Sequence, residues 1–423
     1  MDLKNITDLD VTSLNNLIVE KKNCKFIFLE KDENEREISI HKLLDVNFLG
    51  SNLFYPNVYS FSNNDKKYYK IINEKIMSLD GHINGKIDGI DLGLSYELEN
   101  TPMFFFIYNT DNYYHFIYDT LPYLISFLYI KKHIPHLKLL MNYPTSQSKK
   151  FYDFVLEFLD VLGIKKNDIE IINKRKKYTE VYISTSFTHD IDSNKPPRKE
   201  IYDFYQNICN GIKHDNTKNY KKIYISRRTW LHNNFSNIGT NYTLRRKMEN
   251  EDKLVEYLTD KGFVEIFTEN LSTIEKLHLF GNATHVIGSI GGGLCNVLFS
   301  KKETNLIAIV SPTFLDVNKR FKYSLESVNV DYFNKTFHTE KGTYKKYMRI
   351  NCPSKNIIGE INNINGEYLE VIYSDESVSG WNSSNKFKTV TLSKNQCTPI
   401  DGGLNSYWGM DLNSFIEKYD KFI

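Results

Sequence analysis

The chain has 423 residues, enough for two to three domains at roughly 150 residues each. Its 54 Lys+Arg and 52 Asp+Glu leave a net charge of +2, too balanced for a basic nucleic-acid-binding domain. A hydrophobic share of 41% excludes wholesale disorder.

The first residues, Met1-Asp2-Leu3-Lys4-Asn5-Ile6, are polar and carry no apolar core of a signal peptide. The apolar runs 103–108 and 121–130 are shorter than the ~20 residues of a membrane span. These features predict a cytoplasmic protein with no transmembrane segment. Asn241-Tyr242-Thr243 and Asn282-Ala283-Thr284 have the glycosylation form, but such triplets arise by chance in an Asn-rich chain. The cysteines (Cys24, Cys209, Cys295, Cys352, Cys397) are odd in number and widely spaced. Neither a disulfide framework nor a zinc site is expected from them.

Along the first half, strands and helices alternate. Strands are expected at 25–29, 104–108, 137–141, 169–172 and 181–184, with helices at 112–132, 147–162 and 198–212. Alternation of this kind predicts a mostly parallel sheet covered by helices. The polar stretch from His214 to Tyr220 is the expected boundary, giving a Rossmann-like domain over 1–215.

The second half is more regular. A strand at 222–226 leads to a helix from Glu251, with Asn250 as N-cap and Gly262 just past its end. A strand at 263–267 follows. Ser272-Thr273-Ile274-Glu275 has the S-x-x-E form of a capping box and opens the next helix. Then come a strand at 285–288, a glycine turn, a short helix at 294–299 and a strand at 306–310. This spacing predicts a second Rossmann-like domain over 216–330. Residues 331–423 read as a partly β extension ending in a helix at 412–422 that packs back on the rest.

Three stretches carry chemistry. Ser289-Ile290-Gly291-Gly292-Gly293 lies where a strand's carboxyl end meets a helix start, the place where open α/β sheets bind ligands. A glycine turn lets backbone N–H groups approach a phosphate, but a ligand-free tight turn has the same sequence. Arg227 and Arg228 also end a strand, and a planar guanidinium suits a diphosphate. Ordinary surface arginines are the competing account, as they are for Arg245 and Arg246. The third stretch runs from Asp111 to Pro122. At about 100° per residue Asn112, His115 and Asp119 share one helical face, opposite an apolar stripe of Ile117, Leu121, Leu124, Ile125 and Leu128. Tyr113, Tyr114, Phe116 and Tyr118 wall this polar face. A His–Asp pair at i,i+4 can act as a coupled acid/base unit or only steady the helix. Asp190-Ile191-Asp192 has a D-x-D form but reads as a turn before Pro196-Pro197, so no metal is expected. Cys295 reads as a packing residue, and His285 carries no special signal.

Taken in order, these pieces resemble glycosyltransferase family 61, whose members move N-acetylglucosamine or xylose onto protein O-glycans and plant xylans. Asn112-Tyr113-Tyr114-His115-Phe116 with Asp119 and Leu121-Pro122 resembles the family's N-Y-x-H-x-x-x-D-x-L-P segment. Ser226-Arg227-Arg228 resembles its S-R-R strand end, Asn250-Glu251 its N-E, and Gly291 to Phe299 its H-G-A-G-L-T-N-x-x-F block. The chain departs from the pattern at Ile290, where the family has His, and at Lys276, where Gln is common.

The resemblance implies a GT-B fold: two Rossmann-like domains facing across a cleft, with no cofactor required. It implies an inverting transfer from a nucleotide-sugar, such as a UDP-sugar, to a hydroxyl of a glycan or glycoprotein. Donor-binding residues would be Arg227, Arg228, Glu275, Ser289, Gly291, Gly292, Gly293 and Asn296, although Glu275 serves equally as a capping residue. Asn112, Tyr113 and Tyr114 would lie on the acceptor side. Asp119 would be the base, or His115 if Asp119 only orients it. Ile290 keeps open an inactive, glycan-binding or scaffold member. A Rossmann dehydrogenase is disfavoured because G-x-G-x-x-G is missing.

Overall fold

The computed structural model describes residues 19–21, 24–28, 38–51, 59–62, 68–72, 75–78, 97–106, 110–144, 149–173, 175–188, 196–212, 219–228, 247–312, 314, 319–339, 343–346, 348–374, 387–400 and 407–422. The protein is a mixed α/β chain of two compact units. One comprises Met1–Asp111, His115–Phe151 and Phe158–Gly211; the other comprises Asn112–Tyr114, Tyr152–Glu157 and Ile212–Ile423.

The first unit is built on an 11-stranded mixed sheet. Met103–Phe105 (β1), Lys138–Met141 (β2), Ile169–Ile171 (β3) and Lys176–Ser184 (β4) run parallel, in the order β3-β2-β1-β4. Beyond β4 the sheet turns antiparallel. Ser39–Ser51 pairs with β4 and leads into the meander Tyr59–Ser62, Tyr68–Ile72 and Lys75–Ser78. The expectation of a mostly parallel sheet therefore fits the part after residue 100 and not the part before it. Short connections join these earlier strands, and short connections permit only antiparallel neighbours.

The expected single helix over 112–132 is interrupted. Tyr113–His115 is α-helical, Phe116–Thr120 is a π-helical turn, and Tyr123–His133 (α1) resumes the α-helix. Leu121 N–H donates to Phe116 O at 2.7 Å, one residue further back than an α-helical bond. Pro122, which has no N–H, stands where the ladder restarts. Residues 116–127 are buried on every side, so no polar face points away from an apolar stripe. Phe104 packs edge-on against Phe127 with ring centroids 5.7 Å apart. The other two expected helices are shorter than read, at Asp153–Val161 (α2) and Glu200–Asn210 (α3).

The second unit contains a five-stranded parallel sheet: Lys222–Ile225 (β5), Val264–Ile266 (β6), His285–Ser289 (β7), Asn305–Ile309 (β8) and Asn329–Phe333 (β9). Their spatial order is β6-β5-β7-β8-β9. Numbered from β5 this is 2-1-3-4-5, a doubly wound Rossmann-like order. The central strands are buried along nearly their whole length (Ile223-Tyr224-Ile225, Val286-Ile287, Leu306 to Ile309), as a sheet covered on both faces requires.

The helices between these strands follow local signals. Glu251–Asp260 (α4) ends before Gly262, whose φ of 82° suits a residue without Cβ. Thr273–Asn282 (α5) opens on a complete capping box between Ser272 and Glu275. Leu294–Phe299 is a 3-10 helix spanning the residues expected. One expectation fails: the Asn250 side chain does not cap α4. It donates to Met410 O at 2.8 Å and accepts from Met410 N at 3.2 Å, tying α4 to a distant strand.

Residues after 333 add two elements to this unit. An antiparallel sheet of Arg349–Cys352, Ile357–Asn365, Tyr368–Ser374, Phe387–Ser393 and Thr398–Pro399 closes over its own core, which includes Ile350, Ile361, Leu369, Val371 and Leu392. After the helix Lys319–Leu325 (α6), Trp408–Met410 and the helix Leu412–Tyr419 (α7) pack onto the parallel sheet. Trp408, Phe415 and Tyr419 share one core with Tyr224, Leu254, Ile287, Ile309 and Phe333. Phe415 meets Phe333 edge-on at 5.2 Å. Emptying the Phe415 site in a Phe415→Ala variant should cost about 3–5 kcal/mol. Urea denaturation followed by fluorescence measures this, and a loss below about 1 kcal/mol would show the terminal helix to be a dispensable appendage.

Candidate functional site

The switch point of a 2-1-3-4-5 sheet lies between its first and third strands, here β5 and β7, which are direct neighbours. Ser226-Arg227-Arg228 leaves the carboxyl end of β5, and Ser289 to Gly293 leaves that of β7. The sheet topology thus brings together two features that are more than 60 residues apart in the chain. Ile290 N–H donates to Ile309 O at 3.0 Å and continues the ladder, while its side chain is buried. The next three amides differ. Among the described residues, none accepts a hydrogen bond from the N–H of Gly291, Gly292 or Gly293. A Cβ on Gly293 would lie 2.7 Å from Thr268 Oγ1, so only glycine lets the turn sit against the end of β6. Successive amides without a protein acceptor are able to donate to an anion.

The backbone of Arg227 is held from both sides by buried charges. Its N–H donates to Glu251 Oε1 at 2.7 Å. The same oxygen accepts from Tyr224 OH at 2.9 Å and from Ser226 Oγ at 3.4 Å. Its carbonyl accepts from Lys247 Nζ, which also faces Glu360 Oε1 at 3.7 Å. Burial pushes Glu251 and Glu360 above the usual carboxylate range and Lys247 below the usual lysine range. It also lowers the Arg227 guanidinium, an effect that Glu251 and Glu269 oppose. Arg228 is disposed otherwise. Its Nε and Nη2 grip Glu265 at 2.9 and 2.6 Å, and Nη1 reaches Asp252 at 2.5 Å. The two arginines therefore have distinct duties: Arg228 ties β5 to β6 and α4, whereas Arg227 belongs to the buried cluster.

Around the glycine turn several buried polar atoms have no hydrogen-bond partner: Glu269 Oε1, Thr273 Oγ1 and Ser289 Oγ. Native interiors leave few such atoms, so each asks for a partner. Glu269 follows β6, and burial raises its pKa to about 7. Glu275 is occupied in the capping box, accepting from Ser272 N at 2.9 Å and Ser272 Oγ at 3.0 Å. Asn296 is fully buried; its Nδ2 donates to Gly293 O at 2.8 Å and its Oδ1 accepts from Tyr113 OH at 2.5 Å. Asn296 thus shapes the glycine turn from behind. Asn112, Tyr113 and Tyr114 precede His115 in the chain but pack within the second unit, where the Tyr114 ring stacks on Phe321 at 3.7 Å.

The first unit carries the His–Asp pair. His115 Nδ1 and Asp119 Oδ2 are 2.6 Å apart. Asp119 is 6% exposed, contrary to the outward polar face expected, because the π-turn segment is enclosed on all sides. His115 is half-buried. A carboxylate can only accept, so Nδ1 carries the shared hydrogen of the pair.

The Glycosyltransferase 61 family model matches residues 113–307. This segment is a glycosyltransferase family 61 domain. This segment holds the His–Asp pair, Arg227 and the glycine turn. As a glycosyltransferase the protein has a sugar donor and an acceptor as its partners. No protein with a curated description matches the chain. Among the described residues no helix is long and apolar enough to cross a membrane, and no group of three His, Cys, Asp or Glu is placed to hold a metal ion. Asp190, Asp192, Arg245 and Arg246 lie outside the described residues.

Sequence reading missed Lys247, Glu269 and Glu360, because each is a charged residue in an undistinguished local context. Their burial is the signal, and a linear sequence does not display it. For Glu269, whose folded pKa of about 7 lies above the model-peptide value of 4.5, the linkage has a definite sign. Its contribution to stability is complete below about pH 4.5 and is lost as pH rises through about 7, because the unfolded chain ionises first. Tm should therefore fall over that window more steeply in the wild type than in Glu269→Gln. Parallel Tm-against-pH curves for the two proteins would contradict this assignment.

Proposed function

We propose that the protein is an inverting, metal-independent transferase of GT-B type that uses a nucleotide-sugar donor, a UDP-sugar being the first to test. The acceptor would be a hydroxyl of a glycan or glycoprotein. The observation that carries this reading is the nearness of Arg227 to three glycine amides that no described residue accepts from, at the switch point of the parallel sheet. Fixed donors of this kind stabilise the negative charge that develops on a departing diphosphate. Arg227 is the better candidate for that charge, since the fork of Arg228 is engaged by Glu265 and Asp252. Ser289, with its unpartnered hydroxyl, faces the same task, while Asn296 acts through the turn it supports.

On this reading His115 takes the proton of the acceptor hydroxyl as it attacks the anomeric carbon, and Asp119 fixes the imidazole tautomer. The bond from the anomeric carbon to the diphosphate breaks as the new glycosidic bond forms, and the nucleoside diphosphate leaves. The scaffold reading prompted by Ile290 gains nothing from the geometry: Ile290 is buried, and no described residue accepts from the glycine amides beyond it.

A panel of nucleotide-sugars, assayed for released nucleotide, tests the reaction class. His115→Ala should lower the rate by about 10²–10⁴-fold with a small change in donor affinity. Near-normal transfer by that variant would remove His115 from the role. Arg227→Ala should weaken nucleoside diphosphate binding about ten- to a hundredfold by calorimetry. Arg228→Ala should chiefly lower Tm, and equal loss of affinity in the two arginine variants would reject the division of labour drawn between them.

A further inference from the structure

Lys276, on α5, is only 2% exposed, and its ammonium makes no hydrogen bond or ion pair with any described residue. It stands 4.5 Å from the centroid of the Tyr113 ring. That ring is pinned to the glycine turn, because Tyr113 OH donates to Asn296 and Asn296 donates to Gly293 O. The charged and titratable groups around Lys276 are Glu157, Glu269, Glu275 and Cys295. Two of these carboxylates are committed elsewhere: Glu157 accepts from Thr273 N at 2.7 Å, and Glu275 holds Ser272. Thr273, one turn back on the same helix, has a buried hydroxyl without a partner.

An ammonium largely taken out of water, with a ring face and nearby carboxylates but no hydrogen bond from them, is a net cost to folding. A methionine of similar length would fill the same space without that cost. An ammonium without a protein acceptor, beside a turn whose amides no described residue accepts from, suits an anionic, oxygen-rich ligand. We propose that Lys276 is a binding residue of the donor site, whose ammonium takes a phosphoryl oxygen of the nucleoside diphosphate. This rests on the reading of the glycine turn as the donor site. It adds a second cation to Arg227 and places it on a different element, α5, so that the diphosphate is approached from the α5 side as well as from the end of β5.

Calorimetry with UDP and with uridine on the full chain tests the assignment, using wild type, Lys276→Met and Lys276→Arg. UDP affinity should fall about ten- to a hundredfold in Lys276→Met, with most of it retained in Lys276→Arg and uridine binding unchanged in both. The Tm of Lys276→Met should equal or exceed that of the wild type, since an uncompensated buried charge is gone. Wild-type UDP affinity in Lys276→Met would overturn the proposal. So would an equal loss for uridine and UDP, which would indicate a damaged fold. If the wild type binds none of UDP, GDP, CDP or ADP, the nucleotide-donor reading itself falls, an outcome distinct from a variant that binds as the wild type does.

Discussion

The second unit depends on one constraint: the backbone of Arg227 is fixed between a buried carboxylate and a buried ammonium. Glu251 takes the N–H and Lys247 takes the carbonyl. Neither charge is cheap to bury, and a hydrophobic pair would stabilise the fold at least as well. What such a pair would lack is direction. Two charge-assisted hydrogen bonds on adjacent backbone groups set where the Arg227 side chain begins, at the end of β5. The residues that supply them come from the segment before α4, from α4 itself and, through Glu360, from the late antiparallel sheet. The carboxyl-terminal region is therefore part of the charge arrangement as well as of the core.

Around that constraint the parallel sheet supplies position. Its order places β5 beside β7, so the strand bearing the arginines adjoins the strand bearing the glycine turn. The close contact of Gly293 with Thr268 draws the end of β6 into the same place. Arg227, Lys276, Glu269 and three backbone amides then surround one edge of one sheet. Cations and proton-holding carboxyls are interleaved there, and the balance between them bears on the stability of the unit.

Much of this architecture was legible from local signals. The capping box at Ser272-Glu275, the stop at Gly262 and the 3-10 segment 294–299 each appear where short-range chemistry puts them. Readings went astray where a distant partner overrides the local preference. Asn250 has the right side chain for an N-cap, yet Met410 recruits it. Asp119 has the right spacing for an exposed polar face, yet Pro122 and the surrounding aromatic core turn the helix into a π-turn and bury the carboxylate. The strands between residues 39 and 78 pair antiparallel with one another because their connections are short, a property of chain geometry rather than of side-chain pattern.

The sequence by itself determined the α/β class, the order of strands and helices in the second half, and the motifs that mark a glycosyltransferase of family 61. All of these are encoded in residues close together in the chain, through periodicity, capping and turn chemistry. Tertiary structure alone decided which charges act together. Lys247 and Glu269 meet Arg227, Glu360 meets Lys247 and Lys276 meets Glu269 only after the sheet has formed, and their altered protonation comes from desolvation, which no local stretch of sequence contains. The division of labour between Arg227 and Arg228 has the same origin: adjacent in the chain and identical in type, they are told apart only by what the fold places around each.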